Sequence, residues 1–179
     1  MTFLKSVITN YRTVGAIGPS SQFLYKKMIS PMDFTQDIHI VEFGAGNGTF
    51  TDALLKKITP DSQISIFEID PFFIKKLQSK YKNESRIAIY PLGAEESVKF
   101  FEPESIDYIL SSLPFGLMGS SVISKILESA KHILKEQGKY IQFQYFLQNK
   151  KEIHNIFPKV RYKFTFLNLP PAFIYICKK

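Results

Sequence analysis

The chain has 179 residues, 45% of them hydrophobic, a formal net charge of +7 and a single cysteine. This length suits one compact domain with a sizeable core, and no stretch approaches the ~20 consecutive apolar residues of a membrane-spanning helix. Lys5 and Arg12 interrupt the N-terminus where a secretory signal would be apolar, so we expect a cytosolic protein. The lone Cys177 excludes an internal disulfide and argues against a cysteine-based zinc site; we expect a buried thiol and no metal.

The positive charge is concentrated in the last third of the chain. Residues 1–120 hold 12 basic and 13 acidic side chains, whereas residues 121–179 hold 11 basic and 3 acidic ones. This asymmetry suggests a face that meets polyanions, either nucleic acid or an anionic membrane surface. A solvated, lysine-rich surface without a partner is the alternative.

The first predicted element is an amphipathic helix within a segment, residues 1–37, that precedes the first strand. At ~100° per residue, one arc holds Phe3, Leu4, Val7, Ile8 and Tyr11, and polar residues lie opposite. The helix either docks on the domain as a lid or lies in a membrane interface with its basic residues toward lipid phosphates.

A glycine-rich turn follows the first predicted strand. The apolar run 38–43 is typical of a buried parallel strand, and residues 50–57 continue as a helix. Between them lie Gly44, Gly46 and Gly48, where the chain must turn sharply with positive φ and let a ligand approach the bare backbone. The spacing G-x-G-x-G differs from the G-x-G-x-x-G of dinucleotide enzymes, so it argues against a nicotinamide cofactor.

The second strand ends in a carboxylate at a distance that suits a ribose. Residues 63–68 form the strand, and Glu68 lies about 20 residues after the glycines, where α/β nucleotide sites place an acidic residue on sugar hydroxyls. Asp70 precedes Pro71 and is predicted to be the N-cap of the next helix. Glu68 is therefore the predicted ribose ligand.

Strands and helices alternate along the remaining sequence. Alternation predicts a doubly wound, mostly parallel sheet, and the short link 168–171 between the last two strands permits only an antiparallel hairpin. Gly138 is predicted to end the third helix. The predicted strands are 38–43, 63–68, 86–90, 106–111, 139–145, 160–167 and 172–177, and the predicted helices are 50–57, 72–81, 121–135 and 148–157.

Several motifs give the chain a resemblance to a known family. VEFGAGNGTF at 41–50 resembles the E-x-G-x-G-x-G signature of class I S-adenosylmethionine-dependent methyltransferases, which have seven strands ending in an antiparallel hairpin. Motifs outside this turn resemble the bacterial soluble-type phospholipid N-methyltransferases that methylate phosphatidylethanolamine. They are VGAIGPSSQFL at 14–24, FEID at 67–70, SSLPF at 111–115, IQFQY at 141–145 and NLPPA at 168–172.

The rRNA adenine dimethyltransferases are a more distant resemblance. Their fourth-strand motif is Asn-Leu-Pro-Tyr or Asn-Leu-Pro-Phe, and its asparagine accepts a hydrogen bond from the adenine amino group. This chain has Ser112 at that position, which argues against base methylation. We also expect the C-terminal RNA-gripping domain of those enzymes to be missing, since the sequence ends at Lys179.

The resemblance implies S-adenosylmethionine as cofactor, S-adenosylhomocysteine as product, and a methyltransferase domain over residues 38–179. It places the cofactor on the glycine turn and on Glu68, with the 1–37 segment covering it. Where relatives carry Gly-Asp-Ala after the third strand, this chain has Gly93-Ala94-Glu95, so the adenine contact falls to Glu95 or to the backbone of Ala94. The full predicted cofactor set is Ser20, Ser21, Glu42, Gly44, Ala45, Gly46, Gly48, Glu68, Ile69, Ala94, Glu95 and Ser111.

Three residues are predicted to serve the methyl acceptor. Tyr145, at the carboxyl end of the fifth strand, is the candidate proton acceptor, with packing under the N-terminal helix as the alternative. Ser112 and Phe115 follow the fourth strand, where a backbone oxygen and an aromatic wall would orient an amine; aromatic faces also suit a quaternary ammonium.

The resulting hypothesis is a phospholipid N-methyltransferase at the inner face of the cell membrane, bound peripherally to an anionic surface. N-methylation of RNA or a small amine, and cofactor binding without turnover, remain alternatives. Nucleic acid is the less favoured partner, and the oligomeric state is open.

Overall fold

The computed structural model describes residues 22–147, 149–168 and 170–179. The predicted amphipathic helix at 2–12 and the predicted cofactor residues Ser20 and Ser21 lie outside this part of the chain. The division into segments 1–37 and 38–179 therefore stays a prediction.

Seven strands form one sheet, flanked by helices. The strands are β1 (His39–Phe43), β2 (Gln63–Phe67), β3 (Ile87–Tyr90), β4 (Ile106–Ser111), β5 (Leu134–Gln144), β6 (Lys159–Thr165) and β7 (Ala172–Lys178). The helices are α1 (Gln22–Ile29), α2 (Thr49–Leu55), α3 (Pro71–Lys80), α4 (Ser120–Ile133) and α5 (Lys150–Ile156), with short 3-10 helices at Ala94–Lys99 and Phe115–Leu117.

The strand order is β3-β2-β1-β4-β5-β7-β6. Strands β1 to β5 pair in parallel, and β7 runs antiparallel between β5 and β6. The seven-stranded α/β sheet with a C-terminal antiparallel hairpin is thus confirmed. Successive strands are added on one side from β1 to β3 and on the other side from β4 onward, so the strand order switches between β1 and β4. Ligands of open α/β sheets bind beside the carboxyl ends of strands at such a switch point.

Each face of the sheet has its own buried cluster. On one face, Leu24 and Met28 of α1 and Leu54 of α2 share a cluster with residues of β1, β2, β5 and β7, and α1 itself lies over β5, β7 and β6; on the other face, Ile126 of α4 and Ile153 of α5 share a cluster with residues of β4 and β5. All five side chains are at most 1% exposed, and each such burial contributes ~1.5–3 kcal/mol to folding. Helices on both faces confirm the doubly wound arrangement.

The end of the third predicted helix differs from the prediction. Helix α4 ends at Ile133, and β5 begins at Leu134, with Gly138 inside the strand. The pairing of β5 with β4 shifts between Ile106 and Tyr108, so residues 135–138 form an irregularity in the strand. A Cβ at Gly138 would lie 2.9 Å from the Lys135 carbonyl oxygen, so glycine serves this close backbone contact and does not stop the helix.

Cys177 is buried as a free thiol, as predicted. Within the described ranges, no helix has both the length and the apolar character needed to cross a bilayer.

Candidate cofactor and substrate site

The glycine turn between β1 and α2 has the predicted backbone conformation. Gly44, Gly46 and Gly48 have φ of +74°, +54° and +77°. A Cβ at Gly46 would meet nothing within 4 Å, so this glycine borders open space, whereas a Cβ at Gly48 would lie 2.4 Å from the Tyr81 hydroxyl. Gly46 therefore leaves room for a ligand, and Gly48 leaves room for packing.

Glu68 is held against this turn by three backbone donors. Its Oε1 accepts hydrogen bonds from the N–H groups of Ile69 and Asp70 at 2.9 Å, and Oε2 accepts from Gly46 N–H at 3.0 Å. Burial raises the pKa of Glu68, and these three bonds oppose the rise because they stabilise the ionised form. A carboxylate has about four acceptor positions, so one on Oε2 is left for a ligand hydroxyl.

Glu42 places a second buried carboxylate in the same region. It is 0% exposed, and Thr51 donates a hydrogen bond of 2.6 Å to its Oε2. Its Oε1 is buried and makes no hydrogen bond within the described ranges. Burial raises the pKa of Glu42 to about 7, against the opposing effect of the Thr51 bond, and the charge of Glu68 adds to the rise.

The pKa of Glu42 predicts how stability depends on pH. Between pH ~4.5 and ~7 the Glu42 side chain keeps its proton in the folded protein but has lost it in the unfolded chain. The free energy of unfolding therefore falls as pH rises through this window. A pKa of about 7, against about 4.5 in the unfolded chain, corresponds to a loss of about 3 kcal/mol.

Urea unfolding of the cofactor-free protein at pH 5, 6, 7 and 8 measures this loss. Glu42→Gln should flatten the curve relative to the original protein, because the amide carries no titrating proton. Parallel curves for the two proteins would contradict the buried, protonated state of Glu42.

Asp70 and Ile69 complete the edge beside β2. Asp70 caps α3, as predicted: its Oδ1 accepts a hydrogen bond of 2.9 Å from Phe72 N–H, and Pro71 opens the helix. Ile69 is 37% exposed, so an apolar surface is available next to Glu68 for a flat ligand group.

The segment after β3 places the two candidates for the adenine contact differently. Ala94 is buried, and the Glu95 carboxylate folds back over Gly93, where a Cβ would meet both carboxylate oxygens at 2.5 Å. The Glu95 carbonyl accepts a hydrogen bond of 2.9 Å from Ser129 Oγ. The missing side chain at Gly93 thus leaves room for the Glu95 carboxylate, and an adenine contact through Glu95 or through the Ala94 backbone stays a prediction.

The segment after β4 lies directly beside the glycine turn. Ser112 N–H donates a hydrogen bond of 2.9 Å to the Phe43 carbonyl, which extends the β1–β4 pairing by one residue. A Cβ at Gly44 would lie 3.0 Å from Leu113 Cδ2. Residues 112–114, which are predicted to hold the methyl acceptor and are called the acceptor loop below, are therefore in contact with the predicted cofactor turn.

Two glutamines of β5 hold this loop, and sequence reasoning missed them. The Leu113 carbonyl accepts hydrogen bonds from Gln142 Nε2 at 2.7 Å and from Gln144 Nε2 at 3.1 Å. Tyr140 donates to Gln142 Oε1 at 2.5 Å, which fixes the orientation of that amide. Both glutamines are buried. The signal available in the sequence was two amides at alternating positions of an otherwise apolar strand, where an unpaired polar group is costly.

Two predicted roles need correction. Phe115 is 0% exposed and packs in the cluster with Ile126 and Leu127, so its ring is part of the core and forms no wall toward an acceptor. Burial of such a ring stabilises the folded protein by ~1.5–3 kcal/mol relative to an exposed ring, which is the physical reason for its core position. The fully buried Ser111 hydroxyl joins a network with Tyr140 and Leu113 N–H, which restricts its predicted cofactor role to the backbone.

Tyr145 immediately follows β5, at the predicted edge of the sheet. It packs against the first cluster with its ring centroid 5.7 Å from that of Phe143. Burial raises the pKa of Tyr145, and a hydrogen bond with Asn168 opposes the rise. The phenol therefore stays protonated at neutral pH, so it can accept a hydrogen bond from an amine but is not the base that the sequence predicted.

The residues present fit a cationic nucleoside. Open space at Gly46, a free acceptor position on Glu68 and the orphaned Oε1 of Glu42 converge at the switch point of the sheet. A nearby positive charge favours the ionised forms of Glu68 and of the buried Glu42, and an orphaned oxygen is satisfied by a donor of the ligand. Such an arrangement can bind an amino group and a ribose.

Comparisons with known proteins agree with this geometry. A family model described as a methyltransferase domain matches residues 40–138. The chain is 22% identical to the ornithine lipid N-methyltransferase of Singulisphaera acidiphila over 180 residues, which cover 98% of this chain and 94% of that protein.

A second relative belongs to another substrate class. The ribosomal RNA small subunit methyltransferase A of Borrelia garinii subsp. bavariensis is 32% identical over 124 residues, 68% of this chain but only 41% of that protein.

Among solved structures, the precorrin-6y C5,15-methyltransferase of Geobacter metallireducens superimposes with a TM-score of 0.71 at 15% identity, covering 90% of both chains. At this identity the likeness shows the fold.

Proposed function

Since the chain belongs to the methyltransferase domain family and is a class I enzyme dependent on S-adenosylmethionine, we propose that its methyl acceptor is the amine head group of a phospholipid at a membrane surface. Phosphatidylethanolamine and ornithine-type lipids both present such an amine. The proposal includes peripheral attachment to the inner face of an anionic membrane.

The observation that carries the proposal is Ser112 beside the glycine turn. Its backbone is hydrogen-bonded to Phe43 next to Gly44, so it borders the cofactor cradle. A serine has no carboxamide with which to read the amino edge of a nucleobase, while its hydroxyl accepts from an ammonium donor as well. Similarity to a lipid N-methyltransferase over nearly the full length of both proteins supports the same substrate class.

Bound S-adenosylmethionine supplies a methyl group already activated by a positively charged sulfonium. The chain therefore has to position the acceptor and exclude water. Gln142 and Gln144 hold the Leu113 carbonyl, which makes the Ser112–Pro114 loop a rigid wall against the glycine turn. Rigid placement of this kind supplies most of what a transfer to an activated methyl requires.

The acceptor amine has to lose a proton before it reacts. A free amine of this type has a pKa near ~10, and removal from water lowers it because the charged form is disfavoured. The proton passes to water before the amine is enclosed, and the neutral amine can then donate a hydrogen bond to the Tyr145 hydroxyl. The Ser112 hydroxyl is buried and would accept one after turning toward the site. We propose positioning roles for both, with Tyr145 at the outer end of the site.

An RNA acceptor is the second candidate, favoured by the 32% identity to an rRNA methyltransferase. That similarity covers 41% of the relative's length. Small soluble amines form a third class of acceptor that the same loop would fit.

Labelled cofactor incubated with separate acceptors tests the proposal. Vesicles containing phosphatidylethanolamine, vesicles containing an ornithine lipid, ribosomal RNA and free ethanolamine are each supplied, and the products are separated by chromatography. Label should enter an amine lipid, and Glu68→Ala protein serves as the inactive control. Label found only in RNA or only in ethanolamine would overturn the lipid assignment.

A further inference from the structure

Two loops at the carboxyl edge of the sheet expose large apolar side chains. Phe146 and Leu147 follow β5, and Phe166 and Leu167 follow β6; we call these four residues the apolar tip. They are 71%, 41%, 73% and 49% exposed. Single exposed hydrophobic residues are ordinary on a protein surface, but a contiguous group marks a contact surface.

The four residues belong to one surface because of the strand pairing. Strand β5 pairs with β7 up to Gln144 opposite Phe173, and β6 pairs with β7 up to Thr165 opposite Ala172. Both loops therefore leave the same edge of the sheet, from the two strands that flank β7, and a hydrogen bond between Tyr145 and Asn168 joins them.

This surface is continuous with the acceptor loop. Gln144, the last residue of β5, donates its hydrogen bond to the Leu113 carbonyl. The apolar tip thus begins two residues after a side chain that holds the loop beside the glycine turn.

Lysines flank the apolar tip on both faces of the sheet. On the α1 face, Lys27 donates to the Phe164 carbonyl at 2.5 Å and Lys163 donates to Ser30 Oγ at 2.7 Å. On the α5 face, Lys150 and the exposed Lys151 open the helix that follows the first loop. Across residues 22–147, 149–168 and 170–179, none of these four lysines forms an ion pair with a carboxylate. Their charge is available to an anionic partner.

We propose that the apolar tip inserts into an anionic membrane and that Lys27, Lys163, Lys150 and Lys151 meet the lipid phosphates around it. This inference rests on the lipid substrate proposed above and specifies how the site reaches it. At ~3.3 Å per strand residue, Lys163 lies ~10 Å behind Phe166. That spacing matches an apolar group buried ~5–10 Å at the head-group boundary with cations at phosphate level.

The composition of the tip favours a membrane over a nucleic acid. Bases stack on aromatic faces in a groove that also tracks the phosphate backbone. Here the two exposed rings lie at one edge of the sheet together with two leucines, and leucine offers neither a stacking face nor a hydrogen bond. Apolar side chains ahead and cations behind instead match the layers of a membrane interface.

The double variant Phe146→Ser/Phe166→Ser tests the inference on the full chain. Vesicles of phosphatidylglycerol and phosphatidylethanolamine are sedimented with the protein, and binding should fall at least tenfold. Phe100→Ser is the matched control: its ring is 44% exposed beside β3, at the opposite edge of the sheet, and its loss should leave vesicle binding unchanged. Thermal unfolding and calorimetry with S-adenosylhomocysteine verify that each variant folds and keeps its cofactor site.

The lysines give a second, independent measurement. The double variant Lys27→Gln/Lys163→Gln should bind anionic vesicles at least threefold more weakly than the original protein. At high salt the difference between the two proteins should mostly disappear, because exposed charges are screened. Lys99→Gln, an exposed lysine beside β3, is the control. Salt-independent binding in all proteins would speak against the phosphate contact.

The outcomes separate this inference from the proposed function. If the original protein does not sediment with vesicles, if the double variant binds as well as the original, or if the double variant loses affinity for RNA instead, the apolar tip is not a membrane surface. If vesicle binding depends on the tip but no lipid becomes methylated, the membrane contact stands and the proposed acceptor is wrong.

Discussion

Replacing Glu68 by alanine should weaken the binding of S-adenosylhomocysteine at least 100-fold. The substitution removes the acceptor position on Oε2 and leaves three backbone N–H groups, those of Gly46, Ile69 and Asp70, without their partner. A hydrogen bond to a charged group contributes ~1.5–3 kcal/mol, and 100-fold corresponds to about 2.7 kcal/mol. The turn also loses one of its two hydrogen-bonded contacts with the end of β2; the bond from Gly44 N–H to the Phe67 carbonyl remains.

Isothermal calorimetry of the purified variants measures this effect. Glu84→Ala is the matched control, since this carboxylate pairs with Arg86 before β3, outside the described site, and its loss should leave the affinity unchanged. Unfolding curves show whether Glu68→Ala remains folded. A folded Glu68→Ala protein that binds the nucleoside as tightly as the original would remove Glu68 from the cofactor site.

Replacing Gly48 by alanine should reduce the free energy of unfolding by about 2–4 kcal/mol. At φ of +77° an alanine is strained by ~1–2 kcal/mol, and its Cβ would lie 2.4 Å from the Tyr81 hydroxyl. Tyr81 would have to move, and its hydrogen bonds to the Gly48 carbonyl at 3.0 Å and to Asp52 at 2.9 Å would be lost. Steric strain and lost bonds act in the same direction.

Urea unfolding tests this prediction, with two comparisons built into the chain. Gly119→Ala should change stability little, because a Cβ there meets nothing within 4 Å and the backbone φ is −71°. Gly48→Ala/Tyr81→Phe should be less destabilised than the separate effects predict, since the phenylalanine removes the clashing oxygen. Equal stability of Gly48→Ala and Gly119→Ala would show that the turn tolerates a side chain.

Much of the fold followed from local patterns. Apolar runs of strand length, separated by helical segments, predicted all seven strands, and six of them begin within one residue of the structure. The exception is β5, which begins at Leu134 because residues 135–138 extend the strand through an irregular pairing with β4. That pairing depends on Ile106, a residue far away in the sequence, so no local pattern could indicate it.

The candidate site divides in the same way. The turn glycines and the Asp70 cap were predictable because each requirement is met within a few residues. The core position of Phe115 was not, since the sequence shows an apolar residue after a strand but not the helix that covers it. Gln142 and Gln144 were missed for the same reason: their partner, Leu113, lies in the loop that follows another strand, β4.

The sequence by itself determined the class of the enzyme, the alternation of its sheet and the conformation of its cofactor turn, because glycine spacing, chain direction and loop length are local properties. The tertiary structure decided which side chains hold the acceptor loop, which aromatic ring is core, and that two distant loops form one apolar tip. These features arise from contacts between strands brought together by the sheet, and the energy of such contacts depends on burial that no single segment of the chain contains.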